Sequence, residues 1–383
     1  MADIAATPSC GYSHVSTFSG CGGSCLGFKL AGYQTLYAVE FVDEAARTYR
    51  ANFPGVTVDQ RDIRQITADD ILRATGLEVG ALDVLEGSPP CSSFSMAGSR
   101  AGGWGKAKRY SDDKVQRCDD LFGEFIRLLR GLKPKVVTAE NVAGLTRGVA
   151  KGYFLEILSE LKASGYRIAA RILDASWLGV PQARQRLIFV GVRDDLNIAP
   201  VHPSPLPYQF TIRDALPHLK RITADRVSSK TGAGAGTVVD IPTDRPIQTI
   251  TACGIGADVS YDWRVEPETD ITGYAIGHEW DRMQRPGTQS TKYFQLQRPE
   301  IDAPCPTITA TGGITGAAGV VHPTERRKFS IAELRALSGF PADFQLTGTY
   351  RQQWERIGRS VPPPLMYHVA ATIRDSILAR VSK

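Results

Sequence analysis

The sequence has no apolar run long enough to span a membrane, and its first residues, MADIAATPSC, lack the basic and hydrophobic regions of a signal peptide. We therefore expect a cytoplasmic protein without a membrane partner. Cysteine is also sparse: the seven residues are an odd number and scattered, which excludes a secreted disulfide framework. Cys21 and Cys25 have no downstream Cys or His pair at ligand spacing, so no metal site is predicted.

Composition places few further limits on function. The 383 residues suffice for one large domain and a smaller one, and 42% hydrophobic with 22% charged residues is ordinary for a globular protein. The net charge of +5 permits a polyanionic partner without requiring one.

The first half of the chain alternates strand-like and helix-like segments. Candidate helices lie at 43–53, 121–132 and 152–165, and candidate strands at 14–18, 35–40, 56–59, 81–86, 135–140, 167–174 and 186–192. This alternation predicts an α/β fold with a doubly wound sheet and helices on both faces.

The pattern changes after about residue 193, where Pro and Gly become frequent and the helical rhythm disappears. A weak repeat, DRPIQTITACG at 244–254 and DAPCPTITATGG at 302–313, predicts short strands between turns. Helical periodicity returns in KFSIAELRALSGFP, and the prolines of VPPPLMY suit the first turn of a final helix. We therefore predict a first domain segment at 1–192, an irregular β-rich module at 193–318, and a return to the first domain at 319–383.

A glycine-rich loop, FSGCGGSCLGFKLAG, follows the first predicted strand and opens a helix, where backbone amides can approach a ligand. The third glycine of the dinucleotide fingerprint is missing, because Cys25 stands after Gly20 and Gly22. Glu40 closes the second strand, where an acid commonly binds ribose hydroxyls, and Asp62 follows the third. Each signal alone also fits an ordinary turn, but in this order they predict a nucleoside-containing cofactor.

The segment GSPPCSSFS places Cys91 after a predicted buried strand and behind two prolines, which stiffen the backbone. Ligands of an open α/β sheet bind at such strand ends. Glu140 follows another predicted strand, and VPQARQRLIFVG places Arg184 and Arg186 on one face of an extended segment. A structural cysteine, a helix-capping acid and a solvated strand face are the alternatives for these residues.

Six motifs taken together resemble one family. The glycine-rich loop, GSPPC, ENV, QARQR, SGFP and IGRSVPPP occur in the order and spacing of the DNA cytosine-5 methyltransferases of the bacterial and phage type. The resemblance covers nearly the whole chain outside about 193–300. It implies a Rossmann-like domain that depends on S-adenosylmethionine, with a target recognition domain at 193–318 inserted before the C-terminal return.

The same resemblance implies the partners. We expect a monomer that acts on double-stranded DNA and is associated with the nucleoid. A cognate restriction endonuclease is expected as a functional partner, not a physical one.

Residue roles follow from the matched motifs. Cys91 matches the nucleophile that adds to C6 of a flipped-out cytosine, which makes C5 able to attack a sulfonium carbon. Glu140 matches the residue at the N3 edge of the base and Arg186 the residue at O2, with Arg184 supporting it. The residues that match the S-adenosylmethionine site are Phe18, Ser19, Gly20, Gly22, Gly23, Glu40, Phe41, Asp62, Ile63, Pro89, Leu121, Arg359, Ser360 and Val361.

The segment 92–117 carries six Lys or Arg against two acids and resembles the mobile loop that closes over DNA in this family. A solvated loop is the alternative. The residues expected to contact DNA are Ser95, Arg100, Lys106, Lys108 and Arg109.

Two residues depart from the family pattern. Ser92 stands where the family often has Gln, and Arg359 stands beside the cofactor where the family usually has Asn. An arginine near the cationic sulfonium needs an anion, either a protein carboxylate, the cofactor's own carboxylate or a DNA phosphate outside the site. The sharper alternative is a carboxylate on the transferred group, as in carboxy-S-adenosylmethionine, which would yield 5-carboxymethylcytosine.

Three further functions are alternatives. The first is an inactive DNA-binding regulator with the same fold. The second is a nicotinamide oxidoreductase, which the missing fingerprint glycine disfavours. The third is a tRNA-methylating member of the family, whose target region is usually much shorter.

Overall fold

A seven-stranded mixed β-sheet forms the centre of the protein. Its order is β3-β2-β1-β4-β5-β7-β6, and β7 runs antiparallel to both neighbours while the other pairs are parallel. The predicted doubly wound sheet is confirmed. Its strands are β1 (Ser13–Thr17), β2 (Gln34–Val39), β3 (Thr57–Asp59), β4 (Val84–Gly87), β5 (Val136–Val142), β6 (Tyr166–Asp174) and β7 (Gln185–Arg193).

The computed structural model describes residues 1, 4, 6–90, 120–148, 150–219 and 263–381. It also describes the backbone of two short antiparallel strands, Ala107–Arg109 and Val115–Arg117. Cys91 and the side chains expected to contact DNA, from Ser95 to Arg109, lie outside the described residues. Among the described helices, none combines the length and apolar character needed to cross a membrane.

Helices pack on both faces of the sheet because neighbouring strand residues point in opposite directions. On one face, Leu85 and Val137 pack in a core with the helices Leu121–Leu132 and Ala150–Ala163, while on the other Val84 and Val136 pack with the helices Gly23–Leu30 and Pro363–Ser376. The helices are α1 (Gly23–Leu30), α2 (Asp43–Asn52), α3 (Ala68–Thr75), α4 (Leu121–Leu132), α5 (Ala150–Ala163), α6 (Ile212–Ala215), α7 (Ala275–Arg282), α8 (Ile331–Leu337), α9 (Tyr350–Arg359) and α10 (Pro363–Ser376).

The described part of the module at 193–318 is irregular, but it is not rich in β-structure as predicted. It contains the helices α6 and α7, and its strands have only two residues: Thr288–Gln289 pairs with Gln297–Arg298, and Cys305–Pro306 pairs with Gln182–Ala183. In the second copy of the repeat, two prolines flank Cys305, and proline cannot donate to a ladder, which limits the strand. The first copy, at 244–254, lies outside the described residues.

Candidate active site

A crevice opens where the strand order reverses, between β1 and β4. The chain continues from β1 outward to β2 and β3 and then returns to β4 on the other side of β1, so the loops after β1 and β4 diverge. The loop after β1 is the glycine-rich segment, and the one after β4 is Ser88–Pro90, which leads to Cys91. A cavity of about 780 Å³ lies here.

The glycine-rich loop, residues 18–22, which we call the cofactor loop, adopts a conformation that its glycines permit. Gly22 has a φ of 93° directly before α1. Gly23 lies so close to Ser360 and the Val361 carbonyl that a Cβ atom there would collide with both. Phe18, with a φ of 55°, adopts the left-handed region without being glycine, a strain typical of functional loops. The close approach at Gly23 brings two distant motifs to the same wall of the cavity.

Glu40 holds the cofactor loop in place. Its two carboxylate oxygens accept hydrogen bonds from the backbone N–H groups of Gly20 and Val42, each at 2.7 Å. Burial raises the pKa of this carboxyl group. Nearby, the buried Ser24 hydroxyl lines the cavity beside the Glu86 carboxyl group. The wall therefore offers a polar group to a ligand, as a nucleoside-containing cofactor requires.

Most residues predicted for the cofactor line this cavity, but Gly22, Asp62 and Leu121 do not. Asp62 caps a short turn, accepting from the Arg64 N–H at 3.0 Å, and forms an ion pair with the Arg64 side chain. Leu121 is fully buried in the core at the start of α4. The predicted residues that line the cavity are Phe18, Ser19, Gly20, Gly23, Glu40, Phe41, Ile63, Pro89, Arg359, Ser360 and Val361.

Glu140 and Arg186 form a mostly buried ion pair in the same cavity. Arg186 Nε lies 2.7 Å from Glu140 Oε1, because β5 and β7 are antiparallel neighbours with Glu140 opposite Ile188, two residues from Arg186. Burial lowers the pKa of Arg186, and the Glu140 carboxylate opposes that shift. The sequence predicted both residues, and the structure brings them together.

Arg184, predicted to support Arg186, lines the same cavity. Its buried guanidinium donates to the Ile308 carbonyl at 3.1 Å and the Gly358 carbonyl at 3.0 Å. Burial lowers its pKa well below the ordinary value. Arg184 thus joins three segments of the cavity wall.

Asn141 fixes the segment that leads to Cys91. Its side-chain amide donates to the Pro89 carbonyl at 3.2 Å, while its Oδ1 accepts from the Val142 N–H at 2.8 Å. Sequence analysis assigned Asn141 no role, although it stands within the ENV motif. Other lining residues that it missed are Cys21, Ser24, Arg147, Asp174, Gln185, 307–311 and Arg356, of which 307–311 fall in the second copy of the repeat.

The anion that Arg359 requires is a protein carboxylate. Glu355 lies one turn earlier on α9. Its Oε1 atom is 2.7 Å from Arg359 Nε and 2.6 Å from Arg359 Nη2. Glu355 and Arg359 are four residues apart, and side chains at that spacing are neighbours on a helix, so this ion pair could have been predicted from the sequence. Among the described residues, no cluster of three or more His, Cys, Asp or Glu could hold a metal ion.

The sheet order, the antiparallel β7 and the cavity across the strand reversal define a Rossmann-like methyltransferase. The family model described as C-5 cytosine-specific DNA methylase matches residues 12–375. The chain therefore belongs to the C-5 cytosine-specific DNA methylase family. It is a DNA cytosine-5 methyltransferase that depends on S-adenosylmethionine.

Individual proteins agree with this assignment. The chain is 30% identical over 363 residues to the type II methyltransferase M.NgoFVII of Neisseria gonorrhoeae, covering 94% of this chain and 85% of the relative. It is 29% identical over 361 residues to M1.HphI of Haemophilus parahaemolyticus, covering 94% and 86%. The fold matches S. pombe Dnmt2 methyltransferase with a TM-score of 0.57 at 16% identity, covering 96% of this chain and 98% of that one. These comparisons do not support the regulator or oxidoreductase alternatives.

Proposed function

We propose that this chain transfers a methyl group to a flipped-out cytosine of double-stranded DNA by a covalent route with Cys91 as the nucleophile. The observation that carries the proposal is the Glu140–Arg186 ion pair, held in the cavity that also borders the Pro89–Pro90 segment before Cys91. When bound, S-adenosylmethionine supplies an electrophilic one-carbon group.

The ion pair prepares the base for attack. As the Cys91 thiolate forms its bond to C6, the C5–C6 π electrons shift toward C5, and N3 receives a proton that the Glu140 carboxylate takes up from solvent as the base binds. After transfer, C5 loses its proton to solvent, the C5–C6 double bond forms again, Cys91 leaves as the thiolate, and the N3 proton returns to Glu140. Arg186 donates to O2 and fixes the orientation of the Glu140 carboxyl group. Because both side chains are largely buried, water competes little for these hydrogen bonds.

The cavity walls provide what the cofactor needs. Glu40 would bind the ribose hydroxyls through the lone pairs that its two backbone contacts leave free, and the Ser24 hydroxyl would lie beside the cofactor. Phe18, Phe41 and Ile63 supply apolar surface for the adenine ring. Arg184 and Asn141 act as positioning residues for the wall and for the nucleophile segment.

A second candidate, carboxymethyl transfer from carboxy-S-adenosylmethionine, draws on one observation. Glu355 is shared, because Arg356 Nη2 also lies 3.4 Å from the Oε1 atom that Arg359 contacts. The Glu40 carboxylate interacts with both guanidinium groups as well, so two carboxylates face two arginines and the local charge gives little support to an added carboxylate. We favour the ordinary methyl group because Glu355 already pairs with Arg359.

The two candidates differ in their product. Reactions of the wild-type enzyme with S-adenosylmethionine should yield 5-methylcytosine, identified by mass spectrometry of nucleosides. Glu355→Gln should weaken binding of S-adenosylmethionine by about tenfold, because Arg359 then loses the carboxylate at 2.6 Å and repels the sulfonium more strongly. If carboxy-S-adenosylmethionine supported comparable turnover to 5-carboxymethylcytosine, and Arg359→Asn removed only that activity, the second candidate would replace the first.

We also propose that the module at 193–318 selects the DNA sequence. Its described part presents an aromatic side chain at the tip of a loop, since Phe294 is 82% exposed between the two short strands. The Ser290 hydroxyl organises this loop: it donates to Glu279 at 2.7 Å and accepts from the Lys292 and Tyr293 N–H groups. A preformed apolar tip beside a lysine fits a DNA groove or base step.

Phe294→Ala should weaken binding to the cognate duplex by about tenfold and leave non-cognate binding unchanged, because the ring contributes to base contact and not to phosphate contact. The cognate site would come from sequencing modified cytosines in DNA of an expressing host. Leu155→Ala, which removes another exposed apolar side chain from α5, is the matched control. If Phe294→Ala lowered thermal stability but still discriminated between cognate and non-cognate duplexes, the ring would contact protein and not DNA.

The remaining partners follow from the same proposal. The enzyme acts as a monomer associated with the nucleoid, with a restriction endonuclease as a functional partner. The type II methyltransferases that it resembles support the last point.

A further inference from the structure

A buried carboxyl group that the proposed mechanism does not use lies beneath the floor of the cavity. Glu86, on β4, is 1% exposed. It is the cross-strand neighbour of Ser16 on β1, whose hydroxyl donates to Glu86 Oε2 at 2.6 Å. This contact joins the two strands between which the chain order reverses.

Further hydrogen bonds connect Ser16 and Glu86 to both loops that border the cavity. The Ser19 hydroxyl, in the cofactor loop, donates to Ser16 Oγ at 3.0 Å. On the other side, Ser88 Oγ lies 3.5 Å from Glu86 Oε1, at the outer limit of a hydrogen bond. Ser19 and Ser88 both line the cavity, and Ser88 begins the segment that leads to Cys91. One carboxyl group thus connects the two sides of the site.

We propose that Glu86 is a positioning residue that joins the cofactor loop to the Ser88–Pro90 segment, so that cofactor affinity and transfer rate both depend on its carboxyl group. The inference rests on the proposed function, because it takes this cavity as the cofactor site and Cys91 as the nucleophile. Glu86 touches neither reactant and acts through Ser16, Ser19 and Ser88.

The environment of Glu86 makes its charge sensitive to pH near neutrality. Burial, with a smaller contribution from the Glu140 carboxylate, raises the pKa of Glu86 to about 7. The other titratable groups that face it are Cys25 on α1, with a pKa raised to about 12, and Tyr49 on α2, with a pKa raised well above its ordinary value. Both stay neutral in this range, so Glu140 is the charged group that raises the pKa of Glu86.

The direction of the pH effect follows from solvation. A ligand that fills the cavity excludes water from the vicinity of Glu86 and favours its neutral form. Binding therefore takes up a proton when the pH lies above the pKa of the free protein, and the affinity falls as the pH rises. S-adenosylhomocysteine lacks the sulfonium charge. Its binding therefore reports the effect of desolvating Glu86 without any attraction between a ligand cation and the Glu86 carboxylate.

Calorimetric titration with S-adenosylhomocysteine tests the inference. Between about pH 6 and about pH 8.5, wild-type affinity should fall about fivefold more than that of Glu86→Gln, whose amide cannot ionise but retains the hydrogen bonds. At about pH 6.5, Glu86→Gln should keep wild-type affinity and kcat, whereas Glu86→Ala should lose about tenfold in each.

Asp83→Asn is the matched control, because Asp83 is a buried carboxylate at the other end of β4, bonded to Ser13 and Lys135. It should retain the wild-type pH dependence even if stability falls. An unchanged pH dependence in Glu86→Gln, or full affinity and kcat in Glu86→Ala, would overturn the inference. A wild-type protein that binds no S-adenosylhomocysteine at any pH would contradict the cofactor assignment itself.

Discussion

Replacing Cys91 by serine should reduce methyl transfer to background, a loss of about 10⁴-fold or more in kcat. A serine hydroxyl remains protonated near neutral pH and is a far weaker nucleophile than a thiolate, so C6 of the cytosine would not be attacked. Single-turnover transfer of a labelled methyl group to a duplex that contains the cognate site measures the effect. Thermal unfolding shows whether the variant retains its fold.

The control is Cys10→Ser, at a partly buried cysteine outside the cavity, which should leave turnover unchanged. A duplex with 5-fluorocytosine at the target position provides an independent test. Fluorine cannot leave C5 as a proton does, so the wild type should become covalently attached to this DNA and Cys91→Ser should not. Turnover by Cys91→Ser near the wild-type rate would exclude the covalent route.

Glu140→Gln should lower the single-turnover rate by about 10²- to 10⁴-fold, because the amide cannot deliver a proton to N3 as the thiolate adds. The change also leaves the buried Arg186 without its counter-charge, so some loss of stability is expected. Binding of the cognate duplex and of S-adenosylhomocysteine should change by much less, which separates chemistry from assembly of the site.

Glu124→Gln is the matched control for this substitution. It removes a carboxylate from an ion pair with Arg127 on α4, outside the cavity, and should retain wild-type transfer. Equal losses of DNA affinity and transfer rate in Glu140→Gln would assign Glu140 to binding and not to proton delivery.

The sequence predicted the elements of the sheet domain well because their apolar spacing is strong. The predicted helix at 121–132 coincides with α4, whose inward residues alternate with charged ones at helical spacing. The predicted strand at 81–86 begins three residues earlier than β4, because the apolar run includes Ala81 and Leu82, which precede the ladder. Local pattern identifies an element more reliably than its ends.

The site was predictable where a residue lies at a strand end and less so elsewhere. Glu140 and Arg186 follow from strand position, and the structure pairs them. Arg184 has the same sequence signal as Arg186, but its hydrogen bonds go to carbonyls of Ile308 and Gly358, more than a hundred residues away. No local pattern encodes such partners. In the described part of the module at 193–318, the predicted β-structure is reduced to strands of two residues because β-branched residues there occur among prolines that interrupt strands.

The hydrogen bonds of Arg184 constrain how such enzymes can acquire new DNA specificities by recombination. Ile308 lies within the predicted module, yet its carbonyl is bound to the sheet domain, and the neighbouring Cys305–Pro306 pairs with Gln182–Ala183. A crossover near residue 318 would therefore import a foreign piece of the cavity wall together with the segment that we propose selects the DNA sequence. Chimeras joined near residue 300 would keep the wall native, which makes that position the better junction for testing that proposal by exchange between relatives.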